Sequence, residues 1–166
     1  AARAAALAGG DLMSVHGMGA GAMLAACREG AEEAAEVTGS RPQLVAITVL
    51  TSMSQDSLTE IGIDSPIPVE ADRLARLARE NGIDGVVCSP QEAGAMRSVV
   101  GEDGLVVTPG VRPAGAALGD QTRVATPSSA FKAGSSHIVV GRPITGAENP
   151  VDAYEAIIAE LCAMDD

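Results

Sequence analysis

Two arginines that follow short β-branched runs are the side chains best suited to bind an anion. Arg112 comes shortly after residues 105–108 (LVVT), and Gly141 and Arg142 come directly after residues 137–140 (HIVV). A glycine lets a phosphate approach the backbone N–H groups, and a planar guanidinium matches two phosphate oxygens. The spacing therefore predicts a phosphate site, with a surface arginine in an ordinary turn as the alternative.

The 15 residues from Arg112 to Thr126 show no clear helix or strand pattern. Loops of this length in a compact domain are usually lids or disordered segments. The stretch is polar and rich in glycine, which favours a lid that closes over the phosphate. Its polar and glycine positions are Gly115, Gly119, Asp120, Gln121 and Arg123.

For the other candidate side chains, the sequence favours structural roles. His16 ends a predicted strand and could act as an acid or base, but no carboxylate stands at a suitable spacing. His137 opens a strand, and Lys132, the chain's only lysine, lies on a predicted surface helix. The three cysteines fit neither a zinc site nor a disulfide framework, so we expect no metal. They are Cys27, Cys88 and Cys162.

The elements that must position these groups alternate along the chain. Near-continuous apolar runs predict strands buried on both faces of a parallel sheet. They lie at residues 11–16, 44–49, 85–88, 105–108 and 137–140. Amphipathic spacing predicts helices between them, three of which open with a capping residue followed by proline. The predicted helices are residues 20–37, 69–81, 90–99, 127–133 and 150–163.

Five strands, each followed by a helix, predict an α/β fold with right-handed crossovers. Gly17, Gly19 and Gly21 follow the first strand as GxGxG and miss the GxGxxG fingerprint of an open dinucleotide-binding sheet. We therefore favour a parallel (β/α)₈ TIM barrel, which typically needs about 250 residues. Residues 1–166 would form one incomplete barrel domain of about five β/α units. The opening stretch, residues 1–9, fits this because it resembles a helix tail without an N-cap.

Composition excludes several classes of partner. The net charge of −11 and the single Phe and Tyr, without Trp, disfavour binding to nucleic acid. No apolar run approaches the roughly 20 residues that span a bilayer. We see no signal peptide and expect a cytoplasmic protein without membrane contact.

Several segments, taken together and in order, resemble orotidine 5′-monophosphate decarboxylase of the bacterial type. The combination of PGVRP, GDQxR and GRPIT is specific, whereas any one piece alone would be weak. The resemblance covers essentially the whole chain. Its segments are residues 14–24 (SVHGMGAGAML), 46–53 (AITVLTSM), 84–93 (DGVVCSPQEA), 108–127 (TPGVRPAGAALGDQTRVATP) and 139–145 (VVGRPIT).

The resemblance implies a role for each matching residue. Arg142 and the backbone of Gly141 would hold the substrate phosphate, and Gln121 would reach the phosphate and base. Arg112 would line the ligand site, and Thr51 would contact the pyrimidine ring. It also implies a homodimer that converts orotidine 5′-monophosphate (OMP) to uridine 5′-monophosphate (UMP) in pyrimidine biosynthesis, without metal or organic cofactor.

The catalytic array of that family has no counterpart in this sequence. The family uses alternating lysine and aspartate residues in a D-x-K-x-x-D motif, and none occurs here. We therefore assign no catalytic residue, expect the motif upstream of Ala1, and predict that this chain alone is inactive. Two alternatives stay open. One is a phosphate-ligand-binding module without catalysis, and the other is a different phosphate-binding barrel enzyme.

Overall fold

The computed structural model describes residues 1–113 and 125–164. Their core is a five-stranded sheet in which all neighbouring strands are parallel and follow chain order. The strands are β1 (Leu12–His16), β2 (Gln43–Ile47), β3 (Gly85–Val87), β4 (Leu105–Thr108) and β5 (His137–Ile138). All five predicted strands are confirmed, with bounds that shift by up to two residues.

Helices connect the strands and cover one face of the sheet. They are α1 (Ala2–Leu7), α2 (Ala20–Thr38), α3 (Gln55–Glu60), α4 (Ile67–Glu80), α5 (Ala93–Val100), α6 (Pro127–Lys132), α7 (Arg142–Thr145) and α8 (Pro150–Cys162). The β/α order of the predicted barrel is therefore confirmed. The barrel is not closed, since in the described ranges β1 pairs only with β2 and β5 only with β4. Within those same ranges no helix is long and apolar enough to cross a membrane.

Two of the three predicted capping-residue–proline helix starts are confirmed. The Thr126 side chain accepts a hydrogen bond from the Ser129 N–H at the start of α6. Asn149 caps α8 in the same way, accepting from the Val151 N–H. The third prediction is wrong, because α5 begins at Ala93 rather than at residue 90. Residues 89–92 form a separate turn in which the Glu92 N–H donates to the Ser89 carbonyl.

The two faces of the sheet differ in how they are covered. On the outer face, alternate strand residues such as Leu44, Ala46, Val86 and Val106 are fully buried against the helices. On the inner face, a smaller cluster joins Val45, Leu105 and Val107 with the partly buried Val87. The side chains of β1 alternate strictly between the two faces of the sheet. Met13 and Val15 point to the helices, and the other residues of the strand are exposed.

An aspartate clamp fixes the amino end of β3. The Asp84 carboxylate accepts two hydrogen bonds from the Arg41 guanidinium, at 2.7 and 2.8 Å, and one from the Leu44 N–H at 2.8 Å. Arg28 adds a second positive partner at 3.3 Å. Burial opposes the charge of Asp84, but these hydrogen bonds and cations outweigh it, so its pKa lies below the ordinary value. The hydrogen bond to Asp84 likewise raises the pKa of Arg41.

A second arginine ties together the turns at the amino ends of β4 and β5. Arg97, on α5, donates to the carbonyls of Gly101 and Gly104 at 2.8 and 2.6 Å. Its other nitrogens donate to the Gly134 carbonyl at 3.1 and 3.2 Å. Carbonyls at turns lack partners within secondary structure, so this guanidinium satisfies acceptors that the sheet leaves open.

Candidate functional site

The chain that follows β4 turns sharply and is held at a fixed point. Val111 forms a parallel bridge with Ala125, and the Arg112 N–H donates to the Ala125 carbonyl at 2.9 Å. The backbone therefore leaves the carboxyl end of the sheet at Arg112 and returns beside the same residue. Gln121, which the sequence predicts to contact phosphate and base, falls between these positions and outside the described residues.

Arg112 is the most unusual side chain at this end of the sheet. The residue is only 7% exposed, and its Nε is fully buried without a hydrogen-bond partner in the described part of the chain. A buried donor left unpaired costs about 1–3 kcal/mol. Buried donors without partners are uncommon, and one explanation is a ligand that supplies the acceptor.

The segment after β5 brings a second arginine to the same place. The Val139 N–H donates to the Thr108 carbonyl at 2.9 Å, which aligns the ends of β4 and β5. Arg142 then opens the short helix α7, whose turn closes on the Gly141 carbonyl. A Cβ built on Gly141 would meet no atom within 4 Å, so the space beside its backbone is open. Arg142 is exposed and has polar interactions of its own.

Both segments line one small cavity of about 170 Å³. It brings together Arg112, Gly141 and Arg142, three of the five residues that the sequence predicts to bind substrate. The cavity thus combines two guanidinium groups with an unobstructed glycine backbone at the carboxyl ends of neighbouring strands. That combination suits a phosphate-sized anion.

Thr51 lies on a different part of the same edge. It sits in the turn after β2, is 8% exposed and does not line the cavity. The Met53 N–H closes that turn on the Leu50 carbonyl at 2.9 Å. Thr51 is engaged in a polar interaction of its own. Its predicted contact with a pyrimidine ring therefore stays a prediction.

Sequence reasoning missed a buried carboxylate at the carboxyl end of β3. Glu92 is only 7% exposed, and its side chain accepts a hydrogen bond from the Ser89 N–H at 3.0 Å. The Ser89 hydroxyl in turn accepts from the Gln91 N–H. A serine followed three residues later by a glutamate is the pattern of a capping box. That local signal, Ser89-x-x-Glu92, would have identified the pair.

The groups assigned to structural roles lie away from this cavity. Lys132 is exposed on the last residue of α6, and His137 contacts the Ser136 hydroxyl at 3.0 Å. His16 is exposed at the end of β1. Among residues 1–113 and 125–164, no group of three or more His, Cys, Asp or Glu side chains is arranged to hold a metal ion.

Comparison with known proteins identifies relatives along nearly the full chain. Residues 1–157 match the model of the orotidine 5′-phosphate decarboxylase / HUMPS family. Orotidine 5′-phosphate decarboxylase of Alkalilimnicola ehrlichii is 49% identical over 166 residues, which are 100% of this chain and 69% of that protein. The Halorhodospira halophila enzyme of the same name is 52% identical over 98% of this chain and 67% of its own length.

A solved structure shows the same arrangement of elements. The crystal structure of orotidine 5′-phosphate decarboxylase from Lactobacillus acidophilus superimposes with a TM-score of 0.82 at 41% identity. The match covers 96% of this chain and 66% of that one. The chain thus spans about two thirds of the length of the relatives that it matches.

Proposed function

We propose that this chain, which belongs to the orotidine 5′-phosphate decarboxylase / HUMPS family, carries the phosphate-binding part of an enzyme that converts OMP to UMP. In that reaction the bond between the pyrimidine ring and its carboxylate breaks, CO₂ leaves, and a proton takes its place on the ring carbon. The substrate and the pathway, de novo pyrimidine biosynthesis, follow from the family and from relatives about 50% identical.

The observation that carries the proposal is the unpaired Nε of Arg112 beside the cavity that it shares with Arg142. A phosphate dianion offers acceptor oxygens to both guanidinium groups. Because Arg112 is buried, its side chain would lose little conformational entropy when its donor binds the phosphate. Arg142, which is exposed beside the cavity, would supply the second positive charge. Hydrogen bonds in which the donor or the acceptor is charged are about twice as strong as those between neutral groups.

Gly141 would let the phosphate reach the backbone, since no atom occupies the space where a Cβ would lie. Gln121 would approach the phosphate and base from the loop between Arg112 and Ala125. Thr51 would contact the pyrimidine ring from the end of β2, two strands away. The phosphate and the ring would therefore be held by different β/α units, an arrangement typical of barrel enzymes.

Phosphate binding far from the ring can accelerate decarboxylation at the ring. Binding energy from a remote, unreactive group helps when it is used to orient and strain the reacting part of the substrate. The residues that would act on the ring itself belong to the D-x-K-x-x-D motif, and that motif does not occur in this sequence. This chain would thus bind the substrate's phosphate while having no turnover by itself.

A fusion protein that supplies the missing motif tests the proposal. The part of the Alkalilimnicola ehrlichii relative that precedes the region matched by this chain is fused to the amino end of residues 1–166. We expect the fusion to convert OMP to UMP, measured by the fall in OMP absorbance, and the unfused chain to show no turnover. A fusion that is folded by circular dichroism but neither binds UMP nor decarboxylates OMP would contradict the proposal.

A non-catalytic phosphate-ligand-binding module is the second candidate. It is favoured by one observation, the coexistence of the cavity arginines with a sequence that contains a single lysine. Calorimetry with UMP and uridine separates the two functions when it is combined with an activity assay of the fusion. A module binds UMP but gives an inactive fusion, whereas the proposed enzyme part gives an active one.

The proposal also covers the oligomeric state and the cellular location of the complete enzyme. Because the family resemblance implies homodimers, we expect the complete enzyme to dimerise, and we expect it to work in the cytoplasm on a nucleotide monophosphate. Light scattering on the fusion checks the first expectation. One domain formed by residues 1–166 together with the joined segment would unfold in a single cooperative transition.

A further inference from the structure

The two arginines of the phosphate cavity are connected to two different helices. The Arg112 N–H is bonded to the Ala125 carbonyl, and the chain continues from Ala125 through the capping residue Thr126 into α6. Arg142 is the first residue of α7. The spacing between the two guanidinium groups therefore depends on how α6 and α7 are held relative to each other. One helix, α8, packs against both of them.

A carboxylate of α8 binds the amino end of α6. Glu160 accepts a hydrogen bond from the Ser128 N–H at 3.0 Å, and the same oxygen accepts a second one from the Ser128 hydroxyl. The Ser128 N–H lies in the first turn of α6, where backbone donors have no partner within the helix. The two residues are 32 positions apart in the chain, so this cap depends on the tertiary structure. Glu160 thus joins the start of α6 to α8.

The other end of α6 is held by a separate contact. The buried hydroxyls of Thr108 and Ser135 lie 2.9 Å apart, and the Ser135 N–H donates to the Ala130 carbonyl of α6 at 3.1 Å. Thr108 ends β4, so this contact joins the far end of the helix to the sheet. The helix is therefore held at both ends, and the Glu160 contact is the one closer in the chain to the Arg112 segment.

We propose that Glu160 is a positioning residue for the phosphate site. Through Ser128 it holds the start of α6, and with it the Ala125 carbonyl that fixes the Arg112 backbone. Because α8 also packs against α7, Glu160 fixes the Arg112 segment relative to the segment that carries Arg142. Glu160 is not among the described residues that line the cavity, so it acts on the ligand through these contacts. The proposal rests on the proposed function, because the ligand that the site serves is a phosphate ester.

If Glu160 acted on the ligand only through its charge, its removal would have the opposite effect. Removing a negative charge from the neighbourhood of a phosphate site raises the affinity for a phosphate ester, by an amount that salt reduces. Removing a positioning contact lowers that affinity, because two guanidinium groups must be held ready to meet one phosphate. The direction of the change in affinity therefore distinguishes the two roles.

Two variants of Glu160 and one variant on the same helix form the main test. Glu160→Ala removes the acceptor, whereas Glu160→Gln keeps an acceptor oxygen at the same position in the side chain. Glu155→Ala removes an exposed carboxylate from α8 and is the control for charge. In calorimetric titration, Glu160→Ala should bind UMP about fivefold more weakly or worse, while Glu160→Gln and Glu155→Ala stay within about twofold. Unchanged or higher UMP affinity of Glu160→Ala would overturn the proposal.

A double variant tests whether Glu160 acts through Ser128. Ser128→Ala removes the hydroxyl and keeps the N–H, so it should weaken UMP binding by only about two- to threefold. Ser128→Ala combined with Glu160→Ala should bind UMP no more weakly than Glu160→Ala alone, because both changes break the same contact. Losses that multiply in the double variant would rule out the connection through Ser128.

Hydrogen exchange at a single amide tests the positioning without nucleotide. The Arg112 N–H is bonded to the Ala125 carbonyl, so its exchange rate reports how firmly that carbonyl is held. We expect the Arg112 amide to exchange about fivefold faster or more in Glu160→Ala, relative to the amides of β2 and β3, and to regain its protection in Glu160→Gln. Asp84→Asn, which weakens the opposite end of the sheet, is the stability control and should not accelerate the Arg112 amide selectively. An Arg112 amide that exchanges at its original rate in Glu160→Ala would contradict the positioning role.

Failure of this proposal and failure of the proposed function give different results. If Glu160→Ala accelerates exchange at Arg112 but the unmodified chain does not bind UMP, the phosphate-binding function is removed and the connection from Glu160 to Arg112 stands. If the unmodified chain binds UMP and Glu160→Ala binds it equally well, the function stands and Glu160 has no positioning role.

Discussion

The two ends of the sheet use buried or half-buried arginines in opposite ways. At the amino ends, the Arg97 guanidinium donates from all three nitrogens to turn carbonyls, and Arg41 is paired with Asp84. At the carboxyl ends, Arg112 is more deeply buried, yet its Nε has no acceptor in the described ranges. An arginine whose donors the protein satisfies stabilises the fold. One whose donor remains unsatisfied stabilises little until a ligand arrives.

The largest expected effect belongs to the carboxyl end. Arg142→Ala in the fusion enzyme should lower kcat/KM by about 100-fold or more, since a charged hydrogen bond to phosphate is lost and each 1.36 kcal/mol changes the rate about tenfold. Lys132→Ala, which removes an exposed cation on α6, is the control and should stay within about twofold. Steady-state kinetics showing less than about a threefold loss for Arg142→Ala would remove it from the phosphate site.

At the amino ends, Arg97→Met should cost stability and spare binding. The carbonyls of Gly101, Gly104 and Gly134 would lose their donor, which we expect to lower the free energy of unfolding by about 2 kcal/mol. Urea unfolding followed by circular dichroism measures this, because the chain has no Trp for fluorescence. UMP affinity of the folded variant should not change. A variant that is stable but binds UMP weakly would reverse the assignment.

Asp84→Asn probes the aspartate clamp through the pH dependence of the unfolding free energy. Because the folded pKa of Asp84 lies below its unfolded value, its stabilisation is fully present above about pH 4 and fades as pH falls further. We expect the variant to be less stable by about 1.5 kcal/mol at pH 7. The gap should hold to about pH 5 and narrow below pH 4. Unfolding curves whose gap stays constant down to pH 3 would show that the carboxylate charge contributes nothing.

The smallest effect is expected from Arg112→Met, and it should have the opposite sign. Removing a buried donor that lacks a partner should leave the unfolding free energy of the ligand-free chain unchanged or raise it by up to about 1 kcal/mol. UMP affinity should fall by about tenfold, the loss of one charged hydrogen bond. Calorimetric titration together with urea unfolding checks both halves. A destabilised variant with normal affinity would place Arg112 among the structural arginines.

Local patterns in the sequence were enough to predict the order of strands and helices. Apolar runs mark the five strands, and proline after Thr126 and Asn149 marks two helix starts, because these signals depend on residues a few positions apart. The family resemblance, likewise, follows from motifs read in order. The short helices α3 and α7 were not predicted, since segments of six and four residues are too short to show a helical period.

The tertiary structure decided which polar groups work together. Arg97 lies 37 residues from Gly134, and Arg41 lies 43 residues from Asp84, so no spacing rule connects them. The sequence predicted that Arg112 and Arg142 follow strands, but their shared cavity depends on the parallel pairing of β4 with β5. Sequence therefore determined which residues stand at strand ends. Only the packed sheet decided which arginine is satisfied by the protein and which keeps an unpaired donor in the described ranges, because that depends on partners distant in the chain.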